Sequence, residues 1–360
     1  MRIAPAVQHH LGKGLRSRRG TARSNLTTVS IGPDTRAGLL AVLTVAGLLT
    51  ACAPDAGAPL GHPSSAPVHR ADNGPLAAAD EREVNGYTVT RIHYPTRRTG
   101  DPAQNVADLY LPTGTDTSDR LRVIVLVHGG SWKSAIDLTM MHPFAIDLVH
   151  RGFAVYNIEY RRVGSGGGWP TTFTDVADAV DHLVDLAHSD RRLDLATALV
   201  LGYSSGGQLA AWLGGRGRRA AVEIGGKPRF SPSRVVTVAG PLDMTYAAVH
   251  GNNRIVAVLG GTPTEVPDRY RAVDPMALIN PRLPVVAIHG DRDRLVPVDL
   301  SARYIDAVHR AGGAGQLVVA PGANHGSVAQ PGTAAYVQIL DIVTRFSRKS
   351  LEEVRTHWPR

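Results

Sequence analysis

The stretch Ala198-Leu-Val-Leu-Gly-Tyr-Ser-Ser-Gly-Gly-Gln-Leu-Ala-Ala-Trp-Leu213 joins an apolar run that predicts a buried strand to a segment that predicts a helix. Ser204 stands at the junction, between Gly202 and Gly206, in a Gly-x-Ser-x-Gly pattern. A sharp strand-to-helix turn strains the serine backbone and leaves room only for small residues two positions before and after it. The helix N-terminus brings backbone N–H groups and the positive end of a dipole beside the serine. We therefore expect Ser204 to be a nucleophile presented above a sheet.

Short apolar runs and amphipathic stretches alternate on both sides of this unit. Runs that are apolar at every position are typical of parallel strands buried on both faces. The alternation predicts an α/β fold with a mostly parallel, doubly wound sheet flanked by helices. We see no insertion long enough to form a large cap domain. The candidate strands are residues 87–93, 106–111, 123–127, 154–158, 198–201, 235–238, 285–288 and 317–319.

Two later strand ends carry groups that could activate a serine. The strand at 285–288 leads into a loop with two acids, Asp291 and Asp293. The strand at 317–319 leads to His325, and the ordinary pKa of histidine suits proton transfer near neutral pH. Ligands of open α/β sheets bind beyond the carboxyl ends of the strands, so we expect these loops to meet near Ser204.

Residues from about 84 to 347 resemble the α/β-hydrolase superfamily. The resemblance rests on the glycine-flanked Ser204 and on His128-Gly-Gly-Ser-Trp132, which follows a buried strand like the HGGG-type loop of lipases and esterases. These motifs are similar to those of esterase/feruloyl-esterase-like and kynurenine-formamidase-like members. Two further segments resemble bacterial proteins grouped near the prolyl-oligopeptidase catalytic domain, namely Gly167–Asp175 and Val298–Tyr304.

The resemblance implies a Ser-His-Asp triad made of Ser204, His325 and Asp293. Family members commonly show His-Gly, an acid and then Val-Pro, and by that pattern Asp293 is the triad acid while Asp291 forms the turn. The chain order Ser204, Asp293, His325 also matches the order in this fold. Ser205 is the rival nucleophile, but no glycine stands two residues before it.

The resemblance also implies an oxyanion hole built from backbone N–H groups. The expected donors are Gly130 and Ser131, joined by Ser205. Ser131 replaces the third glycine of the esterase pattern, which leaves open whether its N–H or that of Gly130 points better into the site. We expect His128 to brace this loop by a hydrogen bond rather than to take part in catalysis.

The N-terminus predicts export from the cytoplasm. Residues 1–36 carry seven basic residues and one acidic residue, so most of the net charge of +8 lies there and gives no reason to expect nucleic acid as a partner. The apolar run 37–52 is shorter than the roughly 20 residues of a membrane span. We therefore expect residues 1–51 to be a signal peptide, with Arg18-Arg19 as a weaker hint of twin-arginine export and a start downstream of Met1 as an alternative.

The run ends in Leu49-Thr-Ala-Cys52, which resembles the bacterial lipobox. The resemblance implies cleavage before Cys52, lipid attachment to its sulfur and anchoring to the cell envelope. The alternative is that Cys52 is an apolar residue in an uncleaved anchor helix. The Ala-, Pro- and Gly-rich stretch 53–82 predicts a flexible tether, so Cys52 and this tether (52–82) would precede a hydrolase domain at 83–360.

These features predict a carboxylesterase-like serine hydrolase that acts on small-molecule esters. No metal-ligand spacing is visible, so we expect neither a metal nor another cofactor. One alternative is a peptidase of the prolyl-oligopeptidase type, although the chain has no room for the large β-propeller of such enzymes. The other is a binding lipoprotein without catalytic activity, which would have no need of three triad residues.

Overall fold

Nine strands form one sheet in the computed structural model, which describes residues 81–218 and 224–357. The strands are β1 (Glu81–Val84), β2 (Tyr87–His93), β3 (Val106–Pro112), β4 (Leu121–Val127), β5 (Ala154–Ile158), β6 (Leu193–Tyr203), β7 (Arg234–Val238), β8 (Val285–Gly290) and β9 (Gly315–Ala320). The helices are α1 (His142–His150), α2 (Thr171–Ser189), α3 (Ser205–Gly215), α4 (Met244–Val249), α5 (Asn253–Leu259), α6 (Pro267–Val273), α7 (Asp299–Arg310), α8 (Ala334–Arg348) and α9 (Leu351–His357).

The sheet has the order β1-β2-β3-β5-β4-β6-β7-β8-β9. The pairs from β1 through β3 to β5 are antiparallel, and the strands from β5 through β4 to β9 run parallel. The carboxyl ends of β4, β6, β7, β8 and β9 therefore lie along one edge of the sheet, where ligand sites of such folds form.

Both faces of the sheet are covered by helices. In β4, the side chains of Val123 and Val125 enter the cluster that holds residues of α2, α3 and α7, whereas Ile124 and Leu126 enter the cluster that holds residues of α1 and α8. This explains why the central strands are apolar at every position. The predicted fold, an α/β-hydrolase sheet flanked by helices, is confirmed.

The first strand in the described part of the chain starts two residues before the predicted hydrolase domain (83–360). The strand β1 starts at Glu81 and pairs with β2, so the last two residues of the expected tether (52–82) belong to the sheet. The short polar strand lacks the apolar pattern that would have revealed it. The predicted signal peptide (1–51), Cys52 and the rest of the tether lie outside the described residues.

The longest connection between consecutive strands in the described part of the chain runs from residue 239 to 284. It contains three short helices, α4, α5 and α6, and a 3-10 helix at Pro275–Leu278. Each of these α-helices has six or seven residues, too few for a clear helical period in the sequence. This segment borders the site described below.

None of the helices in residues 81–218 and 224–357 combines the length and the apolar character that crossing a membrane requires.

Candidate active site

Ser204 lies at the turn between β6 and α3. Its backbone has φ 54° and ψ −122°, a strained conformation in the region that favours glycine. A Cβ at Gly202 would lie 2.0 Å from the carbonyl oxygen of Gly206, and one at Gly206 would lie 2.1 Å from that of Val127. The two glycines are therefore required by close backbone contacts, as the sequence predicted.

Three strand-end loops bring Ser204, His325 and Asp293 together. His325 Nε2 lies 2.9 Å from Ser204 Oγ, and His325 Nδ1 lies 2.7 Å from Asp293 Oδ2. An ionised carboxylate only accepts hydrogen bonds, so Nδ1 carries the proton and Nε2 is left to accept the hydrogen of the serine hydroxyl. A hydrogen-bond series of this kind can move a proton off a serine hydroxyl.

The carboxylate of Asp293 is fully engaged by its surroundings. Its Oδ1 accepts hydrogen bonds from the N–H groups of Leu295 and Val296, each at 2.9 Å, and its Oδ2 also lies 3.3 Å from His289 Nε2. Burial favours the neutral acid, but the hydrogen bonds from His289, His325 and the backbone outweigh it and hold the pKa of Asp293 well below its ordinary value. Asp293 is therefore a charged group held in a fixed place beside His325 Nδ1.

The rival residues occupy other positions. Asp291 Oδ1 accepts a hydrogen bond from the N–H of Gly322 at 2.7 Å, which fits the turn-forming role expected of it. Ser205 is buried, and its Oγ accepts the N–H of Trp132 at 3.4 Å. Within the described residues, neither side chain forms a hydrogen bond with His325.

The loop after β4 lies against the turn that carries Ser204. Gly130, Ser131 and Trp132 all have positive φ, at 103°, 57° and 54°. A Cβ at Gly130 would lie 2.6 Å from Ile136 Cβ, so only glycine fits there. In the described part of the chain, no acceptor takes the N–H groups of Gly130, Ser131 or Ser205. Three donors are therefore available near the nucleophile, although their role in an oxyanion hole stays a prediction.

His128 braces this loop, as expected from the sequence. Its ring is buried, stacks on Tyr160 with centroids 4.3 Å apart, and places Nε2 3.1 Å from Glu159 Oε1. Glu159 also accepts the N–H of Leu138 at 2.8 Å and lies 2.8 Å from Arg162 Nη1. Because Glu159 is held from several sides, His128 has a fixed place under the loop.

A cleft of about 260 Å³, including its open part, lies beside the serine. The connection 239–284 forms one wall, and the loop after β8 forms another. Gly130 is not among the described residues that line it, whereas Ser131 and Ser205 are. The lining residues are Ser131, Trp132, Ser204, Ser205, Pro241, Asn252, Arg254, Leu295 and Val296.

Comparison with known families agrees with this architecture. The profile of the BD-FAE family matches residues 107–307, more than half of the chain. The chain belongs to the BD-FAE family. The match includes Ser204 and Asp293 and ends before His325, so the base of this BD-FAE member rests on the geometry described above.

Two mycobacterial proteins are similar to this BD-FAE member in sequence. Esterase LipC of Mycobacterium tuberculosis is 26% identical over 217 residues, which cover 57% of this chain and 52% of LipC. The chain therefore spans about half the length of LipC. The monoacylglycerol lipase of Mycolicibacterium smegmatis is 29% identical over 235 residues, which cover 56% of this chain and 80% of the lipase.

Solved structures share the fold. Thermogutta terrifontis esterase 2 with bound butyrate superposes with a TM-score of 0.59 at 22% identity, covering 79% of this chain and 96% of that one. A truncated carbohydrate esterase from gut microbiota gives a TM-score of 0.58 at 24% identity, covering 72% of this chain and 97% of that one. The relatives and the family agree with the predicted enzyme class, a carboxylesterase-like hydrolase.

Two residues of this BD-FAE member contribute to the site without having been predicted. Tyr203 precedes the nucleophile and donates its hydroxyl to the backbone of His325. Arg254 lines the cleft from the start of α5. Both contacts depend on the packing of segments far apart in the sequence. Tyr203 stands at a variable position of the Gly-x-Ser-x-Gly pattern and Arg254 in no motif, so neither was singled out.

Among residues 81–218 and 224–357, no three or more His, Cys, Asp or Glu side chains are grouped so that they could hold a metal ion. The expectation that the enzyme works without a metal or another cofactor stays a prediction.

Proposed function

We propose that this BD-FAE member cleaves carboxylic esters of small molecules through a covalent acyl-enzyme. Ser204 is the nucleophile, His325 the general base and acid, and Asp293 the group that orients His325. The N–H groups of Ser131 and Ser205, with Gly130 as the further donor, form the oxyanion hole.

The observation that carries the proposal is the continuous series from Asp293 through His325 to Ser204, with links of 2.7 and 2.9 Å. A binding protein without catalysis has no use for a serine held in strained backbone conformation against an oriented imidazole. The esterase and lipase names of the mycobacterial relatives support ester substrates rather than peptides.

The geometry supports the following sequence of bond changes. Ser204 Oγ attacks the ester carbonyl carbon while His325 Nε2 takes the hydroxyl proton. The negative charge on the carbonyl oxygen is stabilised by N–H groups of the oxyanion hole and by the N-terminus of α3, which begins at Ser205. The intermediate collapses, and the alcohol leaves with the proton from His325. Water then attacks the acyl group, gives a proton to His325, and releases the acid as Ser204 regains its hydrogen.

The test compares the mature wild-type protein with Ser204→Ala and with Ser205→Ala as the matched control. The substrates are para-nitrophenyl acetate, longer-chain para-nitrophenyl esters and an aminoacyl-proline amide. We expect ester turnover in the wild type, a loss of about a thousandfold or more in kcat for Ser204→Ala, and far smaller loss for Ser205→Ala. A fluorophosphonate should label the wild type and Ser205→Ala but not Ser204→Ala.

Two outcomes contradict the proposal. Turnover of the amide alone would identify a peptidase of the prolyl-oligopeptidase type. Absence of both turnover and fluorophosphonate labelling would identify a binding protein that has kept the fold.

We further propose that the enzyme is exported and held on the cell envelope by a lipid on Cys52. The support is the basic N-terminus, the apolar run and the Ala51-Cys52 junction in the sequence. In a bacterial host fed labelled palmitate, the full chain should carry label and partition with membranes, whereas Cys52→Ala should carry none. Equal labelling of both proteins would contradict the anchor.

A further inference from the structure

Arg254 is the one charged residue among the described residues that line the cleft beside Ser204. It is exposed and stands at the second position of α5. Its backbone N–H donates to Asn252 Oδ1 at 3.2 Å, but its guanidinium has no hydrogen bond or ion pair with any of the described residues. The cleft therefore presents an arginine whose donors are available to a ligand.

Two carboxylates on the segments that line the cleft are engaged by other partners. Asp243, just before α4, pairs with Arg303 at 2.8 Å, and Arg303 also lies over the ring of Tyr246 at 4.1 Å. The carboxylate of Asp293 is engaged by His325, His289 and two backbone N–H groups. Both nearby carboxylates thus have their own partners.

We propose that Arg254 binds a carboxylate carried by the ester substrate, an inference that rests on the proposed esterase function. A guanidinium is always charged, and its planar fork of N–H donors matches the two oxygens of a carboxylate. In a cleft open to water, such a contact orients the substrate and speeds its association. It therefore raises kcat/KM for the charged ester more than it tightens binding. Arg254 is then a specificity-determining residue, separate from the groups that carry out the chemistry.

The cleft also has apolar lining that suits the uncharged part of such a substrate. Leu295, with 42% of its surface exposed, and Val296 and Pro241 supply apolar side chains to the lining. The preferred ester would combine an apolar portion with a carboxylate, which belongs to either the acyl group or the alcohol.

Two matched pairs of esters distinguish these sources. For the acyl side, the probes are 4-nitrophenyl hydrogen succinate and its neutral counterpart 4-nitrophenyl pentanoate. For the alcohol side, they are 4-acetoxybenzoate and the neutral 4-acetoxybenzamide. For each pair, the readout is the ratio of kcat/KM for the anionic ester to that for the neutral ester, measured with the mature protein.

The variants are Arg254→Gln, Arg254→Lys and Arg310→Gln. Arg310 is an exposed arginine at the far end of α7, so its variant removes the same charge away from the cleft. In at least one pair, we expect Arg254→Gln to lower the anionic-to-neutral ratio of kcat/KM about fivefold to tenfold, because an ion pair exposed to water contributes only modestly. Arg254→Lys should retain part of the preference, and Arg310→Gln should leave it unchanged. Raising sodium chloride to about 0.5 M should lower the wild-type ratio but not that of Arg254→Gln.

The inference is overturned if Arg254→Gln leaves both ratios at the wild-type value, or if Arg310→Gln lowers them equally. In either case, turnover of the neutral esters shows that the proposed esterase function stands. If the wild type turns over neither member of either pair and is not labelled by a fluorophosphonate, the proposed function itself fails, and the role of Arg254 fails with it.

Discussion

The phenol oxygen of Tyr203 lies 2.7 Å from the backbone carbonyl oxygen of His325, and the two rings stack with their centroids 5.5 Å apart. Burial, together with the charge of Asp293, raises the pKa of Tyr203 to about 12, so its hydroxyl remains a donor at neutral pH. Tyr203, next to the proposed nucleophile, thus holds the loop that carries the proposed base His325. Tyr203 links two parts of the site that are more than a hundred residues apart.

The Tyr203→Phe variant tests this link. Loss of one hydrogen bond worth about 1 kcal/mol should loosen the His325 loop and lower kcat about fivefold, with little change in KM. The matched control is Tyr156→Phe, which removes a hydroxyl bonded to the carbonyl of Ala179 within the core, away from the cleft. Steady-state kinetics on para-nitrophenyl acetate give the comparison. An unchanged kcat in Tyr203→Phe, or an equal fall in both variants, would argue against a positioning role.

The lowered pKa of Asp293 predicts a pH-dependent contribution to stability. Because the folded-state pKa lies below the unfolded value near 3.9, the charged carboxylate stabilises the fold above about pH 4. This contribution is lost as the pH falls from there toward the folded-state pKa. Asp293→Asn should therefore lower the free energy of unfolding by on the order of 2 kcal/mol at pH 7, and the difference from the wild type should shrink at pH 3.

Urea denaturation at pH 7, 5 and 3 measures this difference. Asp291→Asn, in the same loop but exposed, controls for the loss of a surface carboxylate. A difference between Asp293→Asn and wild type that stays constant down to pH 3 would show that the amide acts through packing alone. At pH 7, Asp293→Asn should also lower kcat about a thousandfold or more, because the imidazole loses its orienting anion.

The close contact between the Ser204 turn and β4 predicts the effect of a single methyl group. In Gly206→Ala, the new Cβ would lie 2.1 Å from the carbonyl oxygen of Val127, so the backbone must move. We expect Tm to fall by about 5 °C or more, together with a loss of esterase activity. In the control Gly217→Ala, the nearest neighbour of the new Cβ is Pro228 Cγ at 3.5 Å. A Gly206→Ala protein with the Tm and the activity of the wild type would contradict the packing described for this turn.

The sequence predicted the central sheet well because its strands are buried on both faces. In β4 and β6, continuous apolar runs leave little ambiguity, and the glycine-flanked Ser204 marks the point where a strand passes into a helix. The candidate strands all appear, with ends that differ by up to five residues. The strand β1 was missed because it is short and polar, and α4, α5 and α6 because each spans less than two helical periods.

The residues of the candidate site also differ in how far the sequence alone reveals them. Ser204, Asp293 and His325 stand in local motifs at strand ends, where chain order and turn chemistry suffice to single them out. Tyr203 stands at a variable position of the Gly-x-Ser-x-Gly pattern and Arg254 in no motif, so their contribution depends on how the loop after β9 and the connection 239–284 pack around the cleft. Gly130, predicted from a motif as an oxyanion-hole donor, lies close to the side chain of Ile136 and is not among the described residues that line the cleft, and its role as a donor stays a prediction.

The connection 239–284 supplies Pro241, Asn252 and Arg254 to the cleft but none of the three residues in the proton-transfer series. The proposed carboxylate contact of Arg254 is thus encoded in a stretch of sequence separate from Ser204, Asp293 and His325. Replacement of this one stretch would remove the proposed Arg254 contact while Ser204, Asp293 and His325 stay as they are. The same arrangement makes it a natural target for library construction in directed evolution.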